Sequence, residues 1–546
     1  MERLRYVHPH TNGSTRELTG AHLSQLVPVA GACLQRLVEP PEDAPDEDRL
    51  VCLVIRDPLR FITGFFAVIQ AGMVPVPAPS RPYAHRGHHQ RLLSILTASN
   101  PAALLTDEPE MSAIPFFDRP VLLVDALLGE QGRTLLPADH VERSTAYVQY
   151  TSGSIAAPKP VALRHEHVLA QLAQAAEAYE DSSDNVSVNW VPLYHDMGLV
   201  TSVLRPLWSG HVSVLLDPFD FVKDPALWPQ AMTRWRATHT SAPDFGYALC
   251  ARKVSDVRPF DLSPLRVARS AGEPVRGSTM RAFTDRFQPA GFDRRAFKPS
   301  YGLAEATLTV TTCRPGESFR TLWVSAERLR QGHVVPVQST EGATEVTSCG
   351  RPLQGTRVEV IDPDTGRPLA ADRVGEIWIA GPQVRPSADG AHEIDRTPGH
   401  RTGDMGFWHE SELYLIGRAK ERFQVAGQNF YSVELEVAAG AAHPRLRAGR
   451  TAVFLGRLEQ WPSPAPVVMA ECSDADELDE HTGAEIVRSI IAALGHDAGI
   501  SAHCVLLVLA GTLPVTTSGK IQRERCRVMF EDNTVKPVYR YQRGHH

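Results

Sequence analysis

Apolar residues in the first half of this chain fall into short continuous runs separated by stretches with helical spacing. VCLVIRD (51–57) reads as a buried strand, FITGFFAVIQAG (61–72) as a helix stopped by Gly72, and MVPVPA (73–78) as a second strand. Strand, helix and strand in that order make a right-handed βαβ unit of a parallel sheet. AALLTD (102–107) and PVLLVDA (120–126) predict further short strands. The pattern returns with a strand over Ser187–Leu193, a helical turn region, SVLLD (213–217) and a helix over Asp224–Ala237. Trp228, Met232 and Trp235 share one side of that helix and read as core packing. After Pro315 the pattern changes. VEVIDPDTGRPL (358–369) and VGEIWIAG (374–381) alternate apolar and polar residues around Asp-Pro-Asp and Gly turns, as antiparallel hairpins do. From Arg422 a smaller unit follows, with AVFLGR, VVMAEC, a helix around Glu485–Leu494 and CVLLVL.

Composition narrows the class. At 546 residues, with 43% apolar and 22% charged residues, the chain is globular and too long for one ordinary domain. A net charge of −7 disfavours nucleic acid as a partner. The eight cysteines are scattered without a CxxC pair, which predicts reduced thiols and a cytoplasmic setting. Neither a signal peptide nor a membrane span is expected, because no apolar run is long enough. His165 and His167 lack a third ligand and read as a helix start.

Chemistry enters at AYVQYTSGSIAAPKPVAL (146–163), where a β-branched and aromatic run breaks into a hydroxyl-rich loop. Thr151, Ser152, Gly153 and Ser154 with Lys159 can surround one anion, although the spacing is not that of a Walker A loop. Taken alone, the segment serves equally as a polar turn between two strands.

Five segments in order resolve that choice. YTSGSIAAPK (150–159), YGLAEAT (301–307), RTGD (401–404), GRAKERFQVAGQN (417–429) and PVTTSGKIQR (514–523) together resemble the adenylate-forming superfamily. WVPLYHDMGL (190–199), SAGEPV (270–275) and TLWVSAERLRQGHVVPV (321–337) resemble its fatty acyl-AMP ligase branch. The resemblance spans about residues 20–530. It implies an α/β fold: a large multi-layer N-terminal domain (1–419) with parallel sheets and a small β-barrel-like part, more β-rich over about 319–416. A small mobile α+β C-terminal domain (420–546) would follow, with the boundary at about 417–421.

The resemblance also implies roles. ATP and Mg²⁺ would be the cofactors and a small carboxylic acid the substrate. Thr151, Ser152, Gly153, Ser154 and Lys159 would hold the departing phosphates. Glu305 would be the magnesium carboxylate and a catalytic residue. Gly272, Glu273, Tyr301 and Gly302 would line the adenine slot, and Asp404 with Arg418 would take the ribose. His195 would lie near the reacting carboxylate. Lys520, on an exposed turn, would bridge carboxylate and α-phosphate, and Lys420 would be the hinge. Ile155, Ala156 and Pro160 replace the family's Thr, Gly and Gly; Asp244 replaces Asn, Glu421 replaces Asp and Ser432 stands where Pro is frequent. Three functions follow: an acyl-AMP ligase serving an acyl carrier protein; an adenylating enzyme for an aryl, amino or unusual acid passed to a nitrogen nucleophile; and a silent nucleotide-binding scaffold.

Overall fold

A computed structural model of the chain describes every residue except 1–2, 39–48, 81–85, 114–116, 130–143, 152–157, 388–392, 395, 426–427, 459–460, 462, 474–477, 517–519 and 544–546. Its centre is a nine-stranded sheet whose order does not follow the chain. The strands Arg5–Pro9, Val212–Leu215, Val186–Asn189, His239–Ala242, Val267–Ser270 and Phe297–Gly302 lie side by side in parallel. Antiparallel strands close the two edges. Alternate residues of a strand face opposite sides, and here the two sides bury different cores. Ala268 packs with Trp228, Met232, Tyr247 and Phe283 on one face, whereas Ala271 packs with Met197, Leu199 and Leu308 on the other.

The apolar runs near the start form a second, four-stranded parallel sheet: Val74–Pro77, Leu50–Val54, Ala103–Thr106 and Val121–Leu123. Its helix, Pro58–Gln70, starts where Asp57 accepts the N–H groups of Leu59 and Arg60 at 3.0 Å each. The helix beginning at His165 has His167 Nδ1 accepting the Arg164 N–H at 3.3 Å, so these histidines do open a helix.

Some elements are shorter than the pattern suggested. The strand expected to Leu193 stops at Asn189, ahead of Pro192, which has no N–H to give a ladder. The run 120–126 keeps a strand only to Leu123 before coiling into the helix Val124–Gly129. The helix expected over 224–237 is Leu227–Arg234, with Trp228 and Met232 fully in the core and Trp235 against it.

The β-rich region is an open four-stranded antiparallel sheet in the order Arg357–Ile361, Gly375–Ala380, His400–His409, Glu412–Arg418. Among the described residues it does not close into a barrel, because its two outer strands do not pair with each other. The C-terminal sheet joins Leu446–Gly456, Ala465–Cys472, Cys504–Val508 and Tyr539–Gln542, and the helix Glu480–Ala498 crosses between its two parallel strands. Among the described residues no helix is long and apolar enough to cross a membrane.

Candidate active site

The hydroxyl-rich loop joins two strands, Thr145–Tyr150 and Pro160–Arg164, of one antiparallel hairpin. The Thr151 N–H donates to the Lys159 carbonyl at 3.1 Å and closes the hairpin at the loop's mouth. Pro160 opens the second strand, a position where a residue without an N–H is tolerated. Lys159 is exposed. Ser152, Gly153, Ser154, Ile155 and Ala156 lie outside the described residues.

Tyr301, at the end of the strand Phe297–Gly302, donates its hydroxyl to Asp404 Oδ2 at 2.7 Å. Arg418 faces Asp404 across the sheet and donates Nε to Oδ1 at 3.0 Å. Burial raises the Tyr301 pKa well above its ordinary value, and the neighbouring Asp404 adds to this. Asp404 in turn stabilises the Arg418 cation. Both carboxylate oxygens are thus engaged by donors and still hold free lone pairs for hydroxyls.

Gly302 is obligatory: a Cβ there would meet the Leu308 carbonyl oxygen at 1.7 Å. The close approach bends the chain into the short turn Ala304–Ala306, which carries half-buried Glu305. The turn ends at Thr307, a non-glycine residue at φ 63°, a conformation that costs energy and is held here by the Thr307 hydroxyl on the Gln383 carbonyl. The Arg385 N–H fixes the Glu305 carbonyl at 2.7 Å. Gly272 needs its freedom too, at φ 83°. Next to it Glu273 accepts the Phe245 N–H at 2.6 Å, and its pKa is raised by burial and by Asp244. Asp244, where the resemblance led to Asn, is buried and takes the Arg276 N–H, the Arg276 guanidinium and the Thr279 hydroxyl at 2.9–3.0 Å. The acid therefore anchors the segment that follows Glu273.

His195 caps the short helix Asp196–Leu199 and packs against Tyr194 at 4.8 Å. Asp196, in a stretch marked by sequence but not itself singled out, is pushed up by burial, with Lys520 and Arg269 pulling it back.

Lys520 corrects an expectation. It is half-buried rather than exposed, and the part of its turn at 517–519 lies outside the described residues. Burial and then Arg418 lower its pKa, while Asp196, Glu273 and Asp404 oppose them. Its backbone is paired with Thr516: Thr516 N–H to Lys520 O at 2.6 Å and Lys520 N–H to Thr516 Oγ1 at 3.0 Å. Upstream, the buried carboxylate of Glu471 accepts the Gly511 and Leu513 N–H groups at 2.9 Å each and Arg447 at 2.6 Å. Lys420 is exposed in the turn Ala419–Glu421. Beside it Arg523 joins Glu421 at 2.7 Å to Glu436, which it meets with two nitrogens at 2.7 Å each. Ser432 donates to the Glu421 carbonyl at 3.2 Å, a bond the family's proline would lack. From the segment 321–337, Arg330 donates to Glu434 at 2.9 Å and lies 5.0 Å above the Phe430 ring.

The family model for AMP-binding enzymes matches residues 5–387, and the chain belongs to that family. It is 33% identical to the medium-chain-fatty-acid–[acyl-carrier-protein] ligase JamA of Moorena producens, over 90% of this chain and 87% of that one. It is 32% identical to a 4-hydroxyphenylalkanoate adenylyltransferase of Mycobacterium tuberculosis, over 88% and 82%. A solved structure from the fatty acyl-adenylate ligases of E. coli and L. pneumophila shares the fold with a TM-score of 0.86 at 26% identity, covering 97% of this chain and 96% of its own.

Proposed function

We propose that this enzyme activates a carboxylic acid with ATP and passes the acyl group to the phosphopantetheine thiol of a carrier protein. In the first step a carboxylate oxygen attacks the α-phosphorus, and the bond to the β-phosphate oxygen breaks to release pyrophosphate. In the second the thiol attacks the acyl carbonyl, AMP leaves with the bonding pair, and the thiol proton passes to solvent.

The observation that carries this reading is the convergence on Lys520 of Arg418, Asp404, Glu273 and Asp196, with Asp404 held by Tyr301 at 2.7 Å and Arg418 at 3.0 Å. They come from widely separated stretches, and such a cluster costs desolvation that packing alone would not demand. In this reading Asp404 holds the ribose, Tyr301, Gly302, Gly272 and Glu273 border the base, and Lys520 spans carboxylate and α-phosphate. Thr151 and Lys159, with Ser152, Gly153 and Ser154, take the phosphates, and His195 borders the acid. Glu305 is a single half-buried carboxylate, which fits Mg²⁺, an ion that takes one or two protein oxygens and the rest from phosphate and water. Magnesium would neutralise phosphate charge; the remaining work of orientation falls to the side chains named. Lys420 serves as the hinge between domains at 1–419 and 420–546.

The carrier thiol is preferred to free coenzyme A because Arg330 braces the stretch just beyond the hinge through Glu434 and Phe430. The name of one relative, a carrier-protein ligase, points the same way. The test is pyrophosphate release across a panel of acids, followed by mass spectrometry with holo carrier protein or coenzyme A. Acyl transfer to the carrier with little acyl-CoA is expected. Efficient acyl-CoA formation from the same acid would sink the choice of acceptor; no pyrophosphate with any acid would sink the function.

A further inference from the structure

Arg269 lies on the strand Val267–Ser270 of the central sheet and is 1% exposed. Its Nε donates to the Tyr179 hydroxyl at 3.1 Å and one Nη to Thr309 Oγ1 at 3.2 Å. Its other Nη is buried with no hydrogen-bond partner, and among the described residues Arg269 forms no ion pair. A guanidinium is charged at every relevant pH, and a buried N–H left without an acceptor is costly. The same holds for a second donor beside it. Gln171, 0% exposed, accepts the Thr309 N–H with its oxygen, and its Nε2 has no partner. Two orphaned donors therefore flank Thr309.

Their location gives them a meaning. Residues two apart on a strand share a face, so Arg269 points to the side of Ala271, which packs with Met197, Leu199 and Leu308. In the chain, Met197 and Leu199 follow His195 closely, and Leu308 follows Glu305. Arg269 is also close enough to Asp196 to act on its charge. It stands three residues before Gly272 and next to the last residue of its strand. The wall around it is polar: Tyr179 Oη meets Ser300 Oγ at 3.2 Å, which meets Thr312 Oγ1 at 2.8 Å. An unbranched alkyl tail would leave every one of these donors as it is now.

Resting on the function proposed above, we infer that Arg269 reads the far end of the acid, and that the substrate carries a second hydrogen-bond acceptor there, best a carboxylate. Gln171 would complete the recognition from the opposite side. The site would thus reject a tail that strands the guanidinium and accept one that pairs it, and discrimination by a hydrogen-bonding pocket is far steeper than by an apolar one.

The full chain with ATP would be given linear monocarboxylic acids, ω-hydroxy acids and α,ω-dicarboxylic acids of matched carbon number, with pyrophosphate release as the readout. The wild type should prefer the diacid to the monoacid of equal length by roughly 10- to 100-fold in kcat/KM, the scale of one charged hydrogen bond. Arg269→Met, which keeps the volume, should abolish or reverse that preference, and Arg269→Lys should keep part of it. Thermal unfolding of the variants reports whether they fold. Should neither fold, the wild-type ranking still decides. A wild type that prefers monoacids, or is indifferent because water fills the place, overturns the inference while leaving adenylation intact. No release from any acid defeats the underlying function instead.

Discussion

Around Arg205 the charges close upon themselves. Its Nε and Nη2 meet the two oxygens of Asp181 at 2.8 and 2.5 Å, its guanidinium lies 4.6 Å over the Tyr179 ring, and both ion-pair side chains are almost wholly buried. His239, also buried, gives Nε2 to the Tyr179 carbonyl at 2.9 Å. Around Lys520 the charges stay open: a half-buried ammonium feels Arg418, which lowers its pKa, and the carboxylates of Asp196, Glu273 and Asp404, which oppose that. The first cluster is assembled within the parallel sheet and its flanking helices. The second is assembled from the ends of strands and a turn near the C-terminus. Buried charge that is fully paired defines structure; buried charge with bonding capacity to spare is what a ligand or a transition state can use.

The largest effect should come from breaking the closed cluster. Asp181→Asn leaves the Arg205 guanidinium buried without its anion, which costs about 3–5 kcal/mol of stability. Chemical denaturation should show that loss, with kcat per folded molecule little changed. A variant of unaltered stability would mean that the pair is not what holds this region.

The open cluster should respond the other way. Lys520→Ala is expected to slow acyl-adenylate formation by roughly 10²–10³, the scale for one preorganised charge-stabilising group, while stability stays near that of the wild type. Hydroxylamine trapping times that step, and starting from prepared acyl-AMP times the next, which should change far less. Equal slowing of both steps would remove Lys520 from its assigned role.

Acid sharpens the comparison by a smaller amount. Burial lowers the His239 pKa from 6.5 to about 4, with Arg205 adding to the fall and Asp181 resisting it. The folded pKa is below the unfolded one, so the unfolded chain binds more protons between the two values. The contribution of neutral His239 is therefore complete above pH 6.5 and is lost as pH falls toward 4. His211, pushed by burial to about 3, acts in the same direction. From pH 6.5 to about pH 5, His239 alone should remove about 1.5 kcal/mol. A melting temperature that holds constant over that range would contradict neutral burial of the imidazole.

Which of this was legible in the sequence depends on how local the cause is. The unit from Leu50 to Pro77 could be read because its apolar runs and its stop at Gly72 act within a few residues, whereas the cap at Asp57, read as the end of a strand, came only with the structure. The order of the site segments could be read because loop chemistry is written in consecutive residues. Tyr301 and Asp404 were each picked out, yet their hydrogen bond joins positions 103 apart and belongs to packing. The partial burial of Lys520 was missed for the same reason, since the groups that act on it, Asp196, Glu273, Asp404 and Arg418, come from distant parts of the chain. In VARS the arginine resembles an ordinary strand charge, and no local signal marks it as unpaired. Nor did alternation near 357–418 distinguish an open sheet from a closed one, because closure depends on which outer strands meet.

The hydrogen bond between Thr151 and Lys159 has a consequence for how the hydroxyl-rich loop can change. The mouth of the loop is fixed by two backbone groups and by the paired strands behind them, Tyr150 opposite Pro160. Bringing the ends of a loop together costs conformational entropy that grows only slowly with its length, and here the hairpin meets that cost whatever residues lie between. Substitution inside the loop is then free of the penalty that would follow if the loop had to close itself. Ile155 and Ala156 thus stand in a segment whose span is set from outside, and the same insulation makes residues 152–157 a natural place to graft another member's sequence without refolding the hairpin.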